Sequence, residues 1–172
     1  MKKENTFSKV ILFLTISAFS LWLGSYVSRL FIFYEFILPV SFDIDLNFLS
    51  ENFKVISTLL APLMIINLIG YIIFLVLLIS YLFVSKISLK NNGWLFISAC
   101  LVFLLSPFEI YLYYYDFGII SKVLSNQITA GNLIEYVTLR AKEFGLFGVI
   151  HIFTSFFVIL LQVFKPLVKN EN

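Results

Sequence analysis

Each of four long apolar runs holds one strongly polar residue away from its cytoplasmic end: Arg29, Asn67, Glu109 and His151. A guanidinium recognises carboxylates and phosphates through a planar fork of donors. A carboxylate beside an imidazole can bind a cation or pass a proton. Inside lipid such groups are costly, so they face the interior of a bundle and mark a functional site by default. This set has the chemistry for an anion, a quinone, a metal or a proton. With a single histidine, multi-histidine metal sites and bis-histidine haem within one chain are excluded. A haem would need its second axial ligand from a partner chain, and the identity of any metal stays open. There is no phosphate-binding glycine loop, cysteine pair or Ser/His/Asp set, and the motifs of known intramembrane proteases are missing. No catalytic residue is assigned, an enzyme is disfavoured, and no cofactor is predicted.

Depth and helical face bring these residues toward one another. At about 1.5 Å per residue, Glu109 stands about 25 Å above Asn92, His151 about 21 Å above Lys165, and Arg29 about 30 Å above Lys9. All three are expected in the outer half of the bilayer, converging on a shared site, with Asn67 deeper. Gly148, His151, Ser155 and Gln162 form one stripe, and Ser106, Glu109, Tyr113 and Asp116 form another. On the first run Ser17, Ser20, Gly24 and Ser28 make a small-residue stripe of the kind that lets helices approach closely in lipid, and Arg29 borders it. Pro107 frees a backbone carbonyl next to Glu109 and predicts a kink there. Two roles fit this seam: a purely structural one, with Glu109 pinned to Arg29, or a site for a ligand, ion or proton.

The elements that must position these residues are membrane spans. The chain of 172 residues is 60% apolar and 13% charged, against about half and about a quarter in soluble domains. Its mean hydropathy is +0.99. The net charge of +2 offers nucleic acid no electrostatic footprint. Cys100 lies in an apolar run and reads as a small hydrophobe. Four spans are predicted near 10–36, 55–84, 94–116 and 146–164, the first two long enough to tilt or project. Lys2 and Lys3 followed by Ala18-Phe19-Ser20 imitate a signal peptide, but the apolar run continues well past that point, so the first span is read as retained.

Lys2, Lys3, Lys9, Lys86, Lys90, Lys165 and Lys169 fall on one side, against Lys54, Lys122, Arg140 and Lys142 on the other. The positive-inside rule then places both termini in the cytoplasm. Trp94 and the cluster Tyr111, Tyr113, Tyr114 and Tyr115 read as interfacial belts. Residues 41–50, including Asp43 and Asp45, alternate polar and apolar and predict a short extended surface piece. No polar stretch is long enough to bury a core of its own. Within 118–145, Asn132 and Glu135 resemble a capping box, and Leu133, Ile134, Val137 and Ala141 recur at helical spacing. That predicts an amphipathic helix along the outer membrane surface, with Ile119–Leu124 a second candidate.

Leu21-Trp22-Leu23-Gly24, the exit Leu38-Pro39-Val40, and Ile150-His151 followed by Ser155 resemble a widespread family of small four-helix integral membrane proteins of unassigned function, sometimes grouped with copper-resistance membrane domains. The resemblance implies a four-helix bundle and nothing more specific. The expectation is thus an all-α, four-transmembrane-helix bundle, N-in and C-in, forming a single membrane domain with a short extracytoplasmic amphipathic helical segment. It belongs in the cytoplasmic membrane, or alternatively an organellar inner membrane. Its partners are the lipid bilayer and either other membrane proteins or further copies of itself, not nucleic acid. The expected role is a non-catalytic subunit or scaffold of a larger membrane complex. The alternative is a small oligomeric transport or ligand-binding module using Arg29, Glu109 and His151.

Overall fold

The computed structural model describes residues 6–36, 44–85 and 87–168, apart from the side chains of 141–145. Leu38-Pro39-Val40, Asp43, Lys86 and the terminal lysines Lys2, Lys3 and Lys169 lie outside the described residues, as do the side chains of Ala141 and Lys142. The described residues form four α-helices: α1 (Thr6–Tyr34), α2 (Leu46–Val84), α3 (Gly93–Leu124) and α4 (Ala130–Phe164). Each contains a stretch long and apolar enough to cross a membrane, in α4 the segment Leu146–Phe164. In lipid a helix satisfies every backbone donor and acceptor internally, which no isolated strand can do. Large apolar side chains such as Phe13, Phe31, Phe83 and Phe153 point outward. This is the architecture of a multi-pass membrane protein.

The helices outrun their apolar cores. α2 has 39 residues, about 58 Å of helix against a hydrocarbon thickness of about 30 Å. α3 runs without interruption through Pro107 and on to Leu124, so Ile119–Leu124 is its end and not a separate helix. The expected extended piece is helical from Leu46 onward. Asp45 is the reason: its Oδ1 accepts from Phe48 N at 3.0 Å and caps α2.

The segment 130–145 also departs from expectation. It is helical, but continuous with the fourth span and not a separate helix lying along a surface. Its cap is Thr129, whose Oγ1 accepts from Asn132 N, so Asn132 sits inside the helix. Leu133, Tyr136 and Val137 are buried against Phe36, Leu49, Ile56, Leu60, Ile119 and Ile120. The apolar face that suggested lipid contact is instead covered by the projecting ends of α2 and α3. A core therefore exists at this distal end, where the α1–α2 and α3–α4 connections lie. No single polar stretch contains it, because three helix ends build it together.

α1 packs chiefly along α2, and α2 also touches α3 and α4. α1 meets α4 least. α1 and α3 sit diagonally and are bridged by long side chains. The buried face of α1 is Ser8, Ile11, Thr15, Ala18, Trp22, Ser25, Tyr26 and Arg29. Ser20, Gly24 and Ser28 of the expected contact stripe face outward, and nothing lies near Gly24. Small residues recur on both sides of α1, and the side carrying Trp22 and Arg29 is the one that must be buried. Gly70 of α2 provides the close approach, its missing side chain facing the Trp22 backbone at 3.5 Å. At the other end, the chain after α4 folds back on the α2–α3 turn. There Gly93 N donates to Leu167 O at 3.1 Å, and Lys165 lies over the Trp94 ring.

Candidate functional site

All four residues singled out by type are buried: Arg29 and His151 at 1% and 5% exposure, Asn67 and Glu109 at 0%. Arg29 falls in one layer and Glu109 with His151 in a second, set by the two ends of a two-turn step along α3, about 10 Å apart, while Asn67 belongs to neither.

The distal layer is built on Asp116. Its Oδ2 accepts from Arg29 Nη1 at 2.5 Å, and its Oδ1 accepts from both Arg140 Nη1 and the Tyr136 hydroxyl at 2.6 Å. Bonds from charged donors to a carboxylate are short and strong. Burial is the largest influence on the Tyr136 hydroxyl, and with Asp116 alongside it raises the pKa well above the ordinary value, against the opposing pull of the two arginines. Tyr136 therefore stays a neutral donor. Arg29 also lies over the Tyr26 ring, 5.2 Å from its centroid. The expected partner of Arg29 was Glu109; its actual partner is Asp116, two turns further along the same polar stripe of α3. The two arginines share one carboxylate, leaving an excess positive charge. Arg29 Nη2 is buried without a hydrogen-bond partner.

The deeper layer holds Glu109 and His151. His151 Nδ1 lies 3.3 Å from Glu109 Oε2. The pair is close but poorly aligned, so both carboxylate oxygens and Nδ1 lack hydrogen-bond partners. Aromatic rings enclose the imidazole, with centroids of Trp22, Phe147, Tyr26 and Tyr71 at 4.9, 5.4, 5.5 and 6.3 Å. Asn67 does not join this pair. It belongs to a bonded chain in which Trp22 Nε1 donates to the Tyr113 hydroxyl (3.1 Å), and that hydroxyl donates to Asn67 Oδ1 (3.0 Å). Asn67 Nδ2 in turn donates to Ser25 Oγ and the Trp22 carbonyl. Tyr113, expected in an interfacial belt, is thus an interior residue; Tyr114 beside it remains outward. A helix turns about 100° per residue, so the successive tyrosines Tyr113, Tyr114 and Tyr115 cannot share one environment.

Tyr26 links the layers, contacting Arg29 on one side and His151 on the other. Asp116, Tyr136, Arg140, Trp22 and Tyr71 complete the site beyond the residues chosen by type. Asp116 had a signal, since it lies two turns from Glu109 on the same polar stripe. Arg140 had one too, being in helical register with Leu133, Tyr136 and Val137.

Between α1 and α4, bordered also by Leu112 of α3 and by Phe36 and Ile44, lies a cleft of about 520 Å³. Arg29, Arg140 and Tyr26 line it together with apolar residues including Leu30, Phe33, Phe36, Val137 and Ile152. Among the described residues no group of three or more His, Cys, Asp or Glu side chains is placed to hold a metal ion.

Four membrane-length helices around a buried, charged core define a small polytopic membrane protein with a two-layered polar interior. No family model matches the chain, and no curated protein or solved structure matches it either.

Proposed function

We propose that this protein is a non-catalytic membrane module that binds a ligand within its bundle. The observation that carries this reading is that, of the buried side-chain atoms without a hydrogen-bond partner, four lie in these two layers (Arg29 Nη2, both Glu109 oxygens and His151 Nδ1) and two elsewhere (Ser8 Oγ and Trp94 Nε1). A seam that serves only to hold helices together satisfies its own members, and half-satisfied networks in low dielectric are costly. Unfilled valences grouped around an aromatic-lined interior fit a site that a bound molecule completes. Nearby Asn67 shows the contrast, since its amide is fully engaged by Trp22, Ser25 and Tyr113.

The second reading is a subunit of a larger membrane complex. It draws on the outward face Ser20, Gly24 and Ser28, small residues that a neighbouring helix can approach closely. In either case the lysine bias supports cytoplasmic termini, and reporter fusions at residues 127 and 172 test that orientation. Native mass spectrometry of the full chain released from mild detergent separates the two roles. A ligand module retains a discrete small-molecule adduct. Stoichiometric partner chains with no adduct would overturn the proposal in favour of the subunit.

A further inference from the structure

We infer that the cleft between α1 and α4 binds an anionic amphiphile, an acyl chain ending in a carboxylate or phosphate, with the head group held by Arg29 and Arg140. The inference rests on the ligand-binding reading and names the ligand class. Its first support is charge. Arg29 and Arg140 both bond to Asp116, so the layer carries one more positive than negative charge. Asp116 itself does not line the cleft, whereas both arginines do. Glu109, the next carboxylate, lies two turns deeper beside His151 and does not line it either. Among the described residues, those lining the cleft offer an entering oxyanion two guanidinium groups and no carboxylate.

The second support is an unused donor. Arg29 is 1% exposed, its Nη1 is committed to Asp116, and its Nη2 has no partner. A guanidinium presents paired donors to carboxylate and phosphate, and a free nitrogen beside an engaged one is the half of that fork still to be filled. Tyr26 lines the same cleft, with its hydroxyl close to Gly148, which also lines it.

The third is shape and access. The volume of about 520 Å³ lies in the range of small-molecule sites. Among the described residues, its walls apart from the arginines and tyrosines are apolar. Phe31, Tyr34 and Val149, which line it, are 69%, 66% and 45% exposed on helices of membrane-spanning length, so the cleft is open on an apolar outer face. A molecule reaching the arginines by that route arrives through hydrocarbon. An acyl chain suits the walls, and a charged head group suits the base. A second chain, where the ligand has one, stays in the bilayer outside the mouth.

The test uses the full chain, purified in a non-ionic detergent and stripped of lipid, with thermal melting and native mass spectrometry as readouts. Oleate and phosphatidylglycerol distinguish a carboxylate from a phosphate source; oleyl alcohol and diacylglycerol are their uncharged counterparts. At least one anion is expected to form a one-to-one adduct and to raise the melting temperature with the logarithm of its concentration. The uncharged compounds should bind about tenfold or more weakly, the loss expected for charge-assisted bonds. Arg140→Gln should weaken the anion by a similar factor. Val149→Trp fills the mouth from an exposed position, leaves both arginines in place, and should abolish the adduct while melting like the wild type. Equal binding of charged and uncharged compounds, both lost in Val149→Trp, would overturn the anion inference and leave the ligand-binding reading standing. Anion binding that survives Val149→Trp would place the site elsewhere and also overturn it. If neither anion binds, the inference fails, whereas the broader reading falls only if the chain freshly released from the membrane carries no adduct at all.

Discussion

Replacing Asp116 with Asn removes the carboxylate that, among the described residues, alone bonds to Arg29 and Arg140, while keeping the side-chain shape. Asp116 is 0% exposed and accepts three short bonds, from Arg29, Arg140 and Tyr136. The amide retains one acceptor oxygen and turns a donor toward the arginines. Arg29, with a side chain only 2% exposed, is left as an uncompensated interior charge. Arg140, at 12%, is only slightly better placed to reach solvent. Breaking one side of a buried pair costs about 3–5 kcal/mol. For a chain of this length each kcal/mol corresponds to about 2–4 °C, so the melting temperature should fall by about 6–20 °C. The assay is melting of the detergent-purified protein followed by circular dichroism, with Glu51→Gln as the exposed-acid control, which should stay within about 0.5 kcal/mol of wild type. A second comparison guards against a general packing effect. Replacing the pair together, Arg29→Met with Asp116→Leu, removes the more deeply buried arginine along with its carboxylate and leaves only Arg140 unpaired, so it should recover part of the loss, because apolar residues of similar volume often substitute well for buried ion pairs. If Asp116→Asn melts with the Glu51→Gln control, or if the double substitution is as unstable as the sum of its parts, the distal layer is not the buried charge cluster described above.

Two further outcomes follow from the packing. Tyr113→Phe deletes the hydroxyl that joins Trp22 Nε1 to Asn67, stranding buried polar groups at a cost of about 1–3 kcal/mol, whereas Tyr114→Phe on the outward side should be silent; equal melting of the two variants would refute the interior role of Tyr113. Leu133→Ala should cost about 2–5 kcal/mol by opening a cavity in the distal core, and spin labels at Leu133 and Val137 should be shielded from both lipid-soluble and water-soluble relaxants; labels responding to lipid-soluble oxygen would restore a helix lying on the membrane surface.

Four spans are legible in this sequence because the signal is local: about 20 consecutive apolar residues suffice for a helix in lipid, whatever packs against it. The burial of Arg29, Asn67, Glu109 and His151 is also implied locally, since each sits where exposure to hydrocarbon is costly. Which of them meet is a different matter. Depth and charge sign suggested Arg29 with Glu109, yet Asp116 shares the Glu109 face of α3 and takes Arg29 instead. Two carboxylates on one stripe are equivalent until the crossing of α1 over α3 selects between them. The distal segments were misjudged for a related reason. The apolar stripe Leu133–Val137 demands cover, but lipid and protein satisfy that demand equally well in sequence terms. Only the projection of α2 and α3 beyond their apolar centres, which brings Leu49, Ile56 and Ile120 alongside, makes the cover protein. The same limit applies to α1, where small residues lie on opposite sides and Gly70 of the neighbouring helix decides which side is approached. Helix formation and the need for burial are carried by short stretches of chain; partner choice depends on axial rotation and crossing, which arise only when the helices are assembled.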